Sequence, residues 1–106
     1  MLYELRHYKT TLPGAESFQA SFGADLVPVL RDNGFNLTGA WNVLIGEGSR
    51  ADLLWMLRWP SLADREKAFA AIHADPRNAA FRDANLKHLV STTSTLLAPT
   101  PFSPLP

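Results

Sequence analysis

Glu4, Arg6 and Tyr8 alternate along Leu2 to Lys9, the first segment able to form a strand. Residues two apart on a strand share a face, so a carboxylate, a guanidinium and a phenol point the same way. A fourth polar candidate, Arg58, alternates with Leu54 and Met56 in the apolar run Leu53 to Trp59. If these two faces coincide, Glu4 pairs with Arg58 or Arg6 inside the central cavity of a dimer. The planar fork of an arginine suits a carboxylate, so one reading is a site for a small anionic or hydrophobic ligand. The other is a structural ion pair that sets strand register. Trp41 either lines the same cavity or packs the sheet. Its face depends on a hairpin register that the turn Gly46-Glu47-Gly48-Ser49 leaves open by one residue.

Other chemistries find less support. His7, His73 and His88 show no metal-ligand spacing, and no metal site is expected. His7 alternates with Tyr3 and Leu5 and reads as a hydrogen-bonded residue facing helices or a sheet edge. No Ser-His-Asp order, phosphate loop or pair of catalytic carboxylates is visible. Cysteine is absent, so disulfides and thiolate chemistry within the chain are excluded. Ten basic residues balance ten acidic ones without a basic cluster, so neither a nucleic-acid nor a membrane-surface role is expected. No apolar run approaches membrane-spanning length, and no signal segment is read at the start; a soluble cytoplasmic protein is the expectation.

The elements that must position these residues follow from periodicity. Helical spacing of Phe18, Phe22, Leu26, Val29 and Leu30 predicts a helix from about Ala15 to Asn33, stopped at Gly34. Pro28 removes the bond to the Ala24 carbonyl and predicts a kink. Phe35 to Ile45 reads as a second strand, and Arg50 or Ala51 to Trp59 as a third. Pro60 ends the pairing and Ser61 caps a helix that carries Leu62, Phe69 and Ile72. Asp75-Pro76 breaks and restarts it, with the second piece running to about His88. Val90 to Leu97 is β-prone and makes a fourth strand.

The order is β-α-β-β-α-β, the split or ferredoxin-like α+β arrangement: an antiparallel sheet with helices on one face. Its expected strand order is fourth, first, third, second. The third strand is bulky on both faces, with Leu53, Trp55, Leu57 and Trp59 on one and Leu54, Met56 and Arg58 on the other. Helices cover one; a second copy of the same sheet is the economical cover for the other. Residues 1–98 form the domain, and the proline-rich 99–106 an extended tail, docked by Phe102 or else disordered.

Several short patterns, in order and spacing, resemble the NIPSNAP family. They are Tyr3-Glu4-Leu5-Arg6, Leu12-Pro13-Gly14, Gly39-Ala40-Trp41, Ile45-Gly46, Arg58 with Ser61-Leu62-Ala63-Asp64-Arg65, Asp75-Pro76, and the closing Ser94, Leu96-Leu97 and Pro99. The sequence departs from that family at Trp55 and Leu57, where a histidine and then a tryptophan are more usual, and at Leu44, where an acidic residue is. The resemblance implies a dimeric α+β barrel, in which two subunits press their open sheet faces together, with larger assemblies of such dimers as a further option. It implies no settled reaction. Related barrels bind haem through a histidine, which keeps haem as a minor option, but no cofactor is assigned. Two functions follow: a small-molecule-binding or assembly module, and, as the alternative, a cofactor-free monooxygenase or isomerase acting on a hydrophobic or aromatic substrate. The first is favoured because Glu4 has an arginine at hand to neutralise it.

Overall fold

The computed structural model describes residues 1–106. Strand β1 (Leu2–Thr10) is followed by helix α1 (Ala15–Ser21), a π-helical turn (Phe22–Leu26) and helix α2 (Val27–Asp32). Strands β2 (Asn36–Asn42) and β3 (Leu53–Trp59) come next, then helices α3 (Leu62–Ala74) and α4 (Pro76–Asn85). A short 3-10 turn (Leu86–His88) leads into strand β4 (Leu89–Leu97). All pairings are antiparallel and the order is β2-β3-β1-β4, the ferredoxin-like order expected from the sequence.

Pro28 acts one turn earlier than a simple kink would. The Val27 amide donates to the carbonyl of Phe22, five residues back, and the helix restarts with Pro28 in its first turn, where a missing N–H costs nothing. At the third crossing Ser61 caps α3 by accepting from the Asp64 amide at 3.1 Å. Asp75 caps α4 by accepting from the Arg77 amide, and also takes bonds from the Arg77 guanidinium and Asn33. Those side-chain bonds hold the Asp75 carboxyl well below the usual carboxylate range, and Arg77, which also reaches Asp32, is raised above its own.

The hydrophobic core lies between the sheet and the helices. Leu53, Trp55, Leu57 and Trp59 of β3 are buried against Phe18, Phe22, Leu26, Val29 and Leu30 from the first helical segment and Ala68, Ile72 and Phe81 from α3 and α4. Leu54, Met56 and Arg58 point away to the open face and are half-buried.

Strand β2 is shorter than Phe35 to Ile45, and Val43 to Asp52 forms a longer connection than the two-glycine turn suggested. Gly46 and Gly48 supply its positive backbone angles, φ 129° and 106°. A bulge at Thr38 settles the hairpin register. Leu37 stands opposite Leu57 and Gly39 opposite Met56, so Thr38 is the extra residue and Trp41 pairs with Leu54 on the open face. The tail beyond Leu97 runs without helix or strand; Phe102 is 86% exposed, so it does not dock on its own subunit.

Candidate functional site

The register between β1 and β3 decides where the charged residues go. Glu4 stands opposite Leu57, Arg6 opposite Trp55 and Tyr8 opposite Leu53, all on the helix-covered face. Arg58 stands opposite Tyr3 and therefore lies on the open face. The two faces that could have coincided do not, and Glu4 and Arg58 are not partners. The physical reason is parity. Directly opposed residues share a face, so a one-residue difference in register would have been needed to bring the two together. His7 also belongs to the open face, opposite Leu54, instead of facing the helices; its Nε2 lies 2.8 Å from Asp52 at the end of the β2–β3 connection.

Glu4 is fully buried and its carboxylate is saturated. Oε1 accepts from the Trp59 indole at 2.9 Å and from Arg65 Nε at 2.8 Å. Oε2 accepts from Arg65 Nη2 at 3.0 Å, Arg6 Nη1 at 2.7 Å and the Ser94 hydroxyl. A carboxylate offers roughly four lone-pair sites, so five donors leave nothing free for a ligand. Burial alone pushes the Glu4 carboxyl up; the bonds from Arg65, Ser94, Trp59 and Arg6 outweigh it and hold the carboxyl down at about 2. The Glu4 bond in turn raises the Arg65 guanidinium above its ordinary value.

Arg65, Trp59 and Ser94 were not among the candidate site residues read from the sequence. A signal for Arg65 was present. It falls with Ala68, Phe69 and Ile72 at spacings of three, four and seven, so a charge sits on the buried stripe of α3 and demands a buried partner.

Beside this node lies a cavity of about 470 Å³ between sheet and helices, open to one side. Arg6 and Tyr8 reach it from β1 and Trp55 from β3. Phe69, Phe81 and Asn85 form the helical wall, and Val90, Ser91 and Thr92 the β4 side. Its size is that of a small-molecule site. Two buried donors at this wall, the Trp55 indole N–H and Arg6 Nε, have no hydrogen-bond partner. The Arg6 guanidinium is set among aromatic rings, 5.3 Å from the Trp55 ring centre, 5.5 Å from Phe69 and 5.7 Å from Tyr8.

The five residues proposed from the sequence were expected in a cavity between two subunits; Arg6 and Tyr8 instead line this one, under the helices. Glu4 lies behind it as the anchor of Arg6. Trp41 and Arg58 are on the far side of the sheet, where the Trp41 ring lies over Gly39. A Cβ at Gly39 would come within 2.5 Å of that ring. No cluster of histidine and carboxylate side chains suited to a metal ion is present.

The NIPSNAP family pattern matches residues 3–104. The chain belongs to the NIPSNAP family. Among solved structures it is similar to a NIPSNAP family protein of Agrobacterium tumefaciens, at 24% identity over 99% of this chain and 98% of that one, with a TM-score of 0.90. A NIPSNAP domain protein of Burkholderia xenovorans is 22% identical over 98% and 99% of the two chains, with a TM-score of 0.87. A more distant likeness is to a putative antibiotic biosynthesis monooxygenase of Nitrosomonas europaea, 10% identical over 93% and 98%, TM-score 0.67, which shows a shared fold. No curated protein matches the sequence. Membership brings no reaction with it: a second A. tumefaciens relative, 23% identical over 99% and 93% of the two chains with a TM-score of 0.89, is itself a family protein with unknown function.

Proposed function

We propose that this NIPSNAP protein is a binding module that holds a small, largely apolar molecule in the cavity between its sheet and its helices. The observation that carries this reading is the cavity itself, about 470 Å³, walled by Tyr8, Trp55, Phe69 and Phe81 and lined by no carboxylate. Binding is favoured over catalysis because Glu4, the one carboxylate at this end of the sheet, is saturated and held ionised at about 2. A base that far below neutrality has little drive to take a proton.

Naphthol titrated against the protein, followed by tryptophan fluorescence, tests the reading. Saturable binding is expected, and Thr92→Trp, which fills the cavity from the strand side, should abolish it while leaving the melting temperature near that of the parent. Failure to saturate, or binding that Thr92→Trp leaves intact, would overturn it.

We infer further that two copies join through their open sheet faces. Tyr3, Leu5, Leu54 and Met56 are only half-buried there, Trp41 is 51% exposed, and Leu44 and Ile45 in the adjoining connection are almost fully exposed. So large an apolar face is unusual for a lone subunit. Arg58 Nε, buried on that face without an acceptor, would find one on the partner. The same reading takes the protein as cytoplasmic and lets the tail, with Phe102, lie on the partner subunit. No helix is long and apolar enough to cross a membrane. Light scattering coupled to size exclusion tests the dimer; a clean monomer at micromolar concentration would sink it.

A further inference from the structure

Three observations about charge and geometry narrow the ligand, granted that the cavity binds one. The first is the charge balance of its wall. Arg6, His73 and Arg82 line it and no aspartate or glutamate does, although acidic and basic residues are equal in number along the chain. The second is the node behind it. One carboxylate, Glu4, faces two guanidinium groups, Arg6 and Arg65, so positive charge exceeds negative among the three bonded groups, with Glu66 the further carboxylate near Arg65. The third is how the Arg6 fork is used. Nη1 is committed to Glu4, Nε has no partner, and Nη2 has only a 3.4 Å contact to the Tyr8 hydroxyl.

We propose that the ligand is an aromatic monocarboxylate whose carboxylate is received at Nη2 of Arg6, with its ring system among Trp55, Phe69 and Phe81. The molecule contains its own guanidinium–carboxylate pair, in which Arg65 holds Glu4 at 2.8 and 3.0 Å. Glu4, itself held by Ser94, Trp59 and Arg65, fixes the Arg6 head from behind, so little side-chain freedom is lost on binding. The incoming carboxylate offsets the excess of positive charge among Glu4, Arg6 and Arg65. Arg6 is therefore the specificity-determining residue. Arg82, which is exposed, adds attraction that salt would screen.

The test compares naphthoate with its neutral isostere naphthamide by calorimetry. Wild type should prefer the carboxylate by about tenfold or more, the range for a hydrogen bond to a charged group. The preference should persist at about 1 M salt, where the screening length is about 3 Å, because the pair is buried. Arg6→Lys keeps the charge but loses the fork and should lower the preference several-fold. Arg6→Met should remove it, so that the two probes bind with equal affinity. Arg82→Gln should keep most of it. Equal affinities of wild type for the two probes, both saturable, would overturn the carboxylate proposal while the cavity reading stood; no binding of either would overturn both. Should Arg6→Met fail to fold, the wild-type ratio and Arg6→Lys still decide.

Discussion

The two faces of the sheet are made from alternate residues of the same strands and have opposite characters. On the helix-covered face Glu4 is sealed from water and every oxygen of its carboxylate is used, by Arg65, Arg6, Trp59 and Ser94. On the open face Arg58 carries a buried Nε with no acceptor, and the neighbouring side chains, Tyr3, Leu5, Leu54 and Met56, are half-exposed. One face satisfies its buried carboxylate within the subunit and leaves a cavity beside it; the other is incomplete as a surface. Two arginines seven residues apart, Arg58 before Pro60 and Arg65 after it, thus end in unlike roles. The difference comes from which element carries each: a strand residue follows the pleat, whereas a helix residue follows the apolar stripe.

The comparison breaks most visibly if Glu4 is altered. Glu4→Gln keeps the shape but leaves Arg6 and Arg65 facing each other without a negative charge. A loss of about 3–5 kcal/mol in denaturant unfolding is expected, as for other buried pairs deprived of one partner. The pH dependence carries the same sign. The folded Glu4 carboxyl sits at about 2, below the value of about 4.3 of a free side chain. Its contribution is therefore complete above about pH 5 and is lost as pH falls toward 2, amounting to about 3 kcal/mol. Wild type should lose that much more stability than Glu4→Gln between pH 5 and pH 2, and parallel acid titrations of the two proteins would contradict the account.

A sharper form of the comparison uses double-mutant cycles. Glu4 and Arg65 share two hydrogen bonds, so their coupling energy should lie in the range of about 0.5–3 kcal/mol for residues in one network. Glu4 and Arg58 lie on opposite faces and should be additive within about 0.3–0.5 kcal/mol. A Glu4–Arg58 coupling as large as that of Glu4 with Arg65 would mean the register between β1 and β3 is wrong.

The topology was legible in the sequence because each boundary had a chemical cause: Pro60 and Ser61 at the end of β3, Asp75-Pro76 between α3 and α4, Gly34 after α2. The smallest prediction concerns one of these causes. Ser61→Ala should cost about 1 kcal/mol through loss of the cap on the Asp64 amide, read as a small drop in melting temperature with the fold retained. Strand faces were also legible one strand at a time, since alternation needs no partner. What alternation cannot supply is the relation between strands. A single residue of register moves Arg58 across the sheet, and the bulge at Thr38 decides the face of Trp41 without any glycine or proline at that position to announce it. The candidate site suffered accordingly: Glu4, Arg6 and Tyr8 were grouped correctly, while Arg58 was attached to them from the far side. Arg65 was hidden by its helix, where a charge on the apolar stripe needs the stripe to be phased before it stands out.

The three tryptophans stand at the three places the account distinguishes, and their indole N–H signals in an isotope-labelled sample offer the most direct test. Trp55 lines the cavity, its N–H buried without a partner, Trp59 donates to Glu4, and Trp41 lies on the open face. Titration with naphthoate should move the Trp55 indole signal strongly and leave Trp59 and Trp41 nearly still, while dilution of the protein alone should move Trp41. A ligand-dependent shift at Trp41 with Trp55 unmoved would place binding on the open face and contradict the central claim that the cavity under the helices is the site.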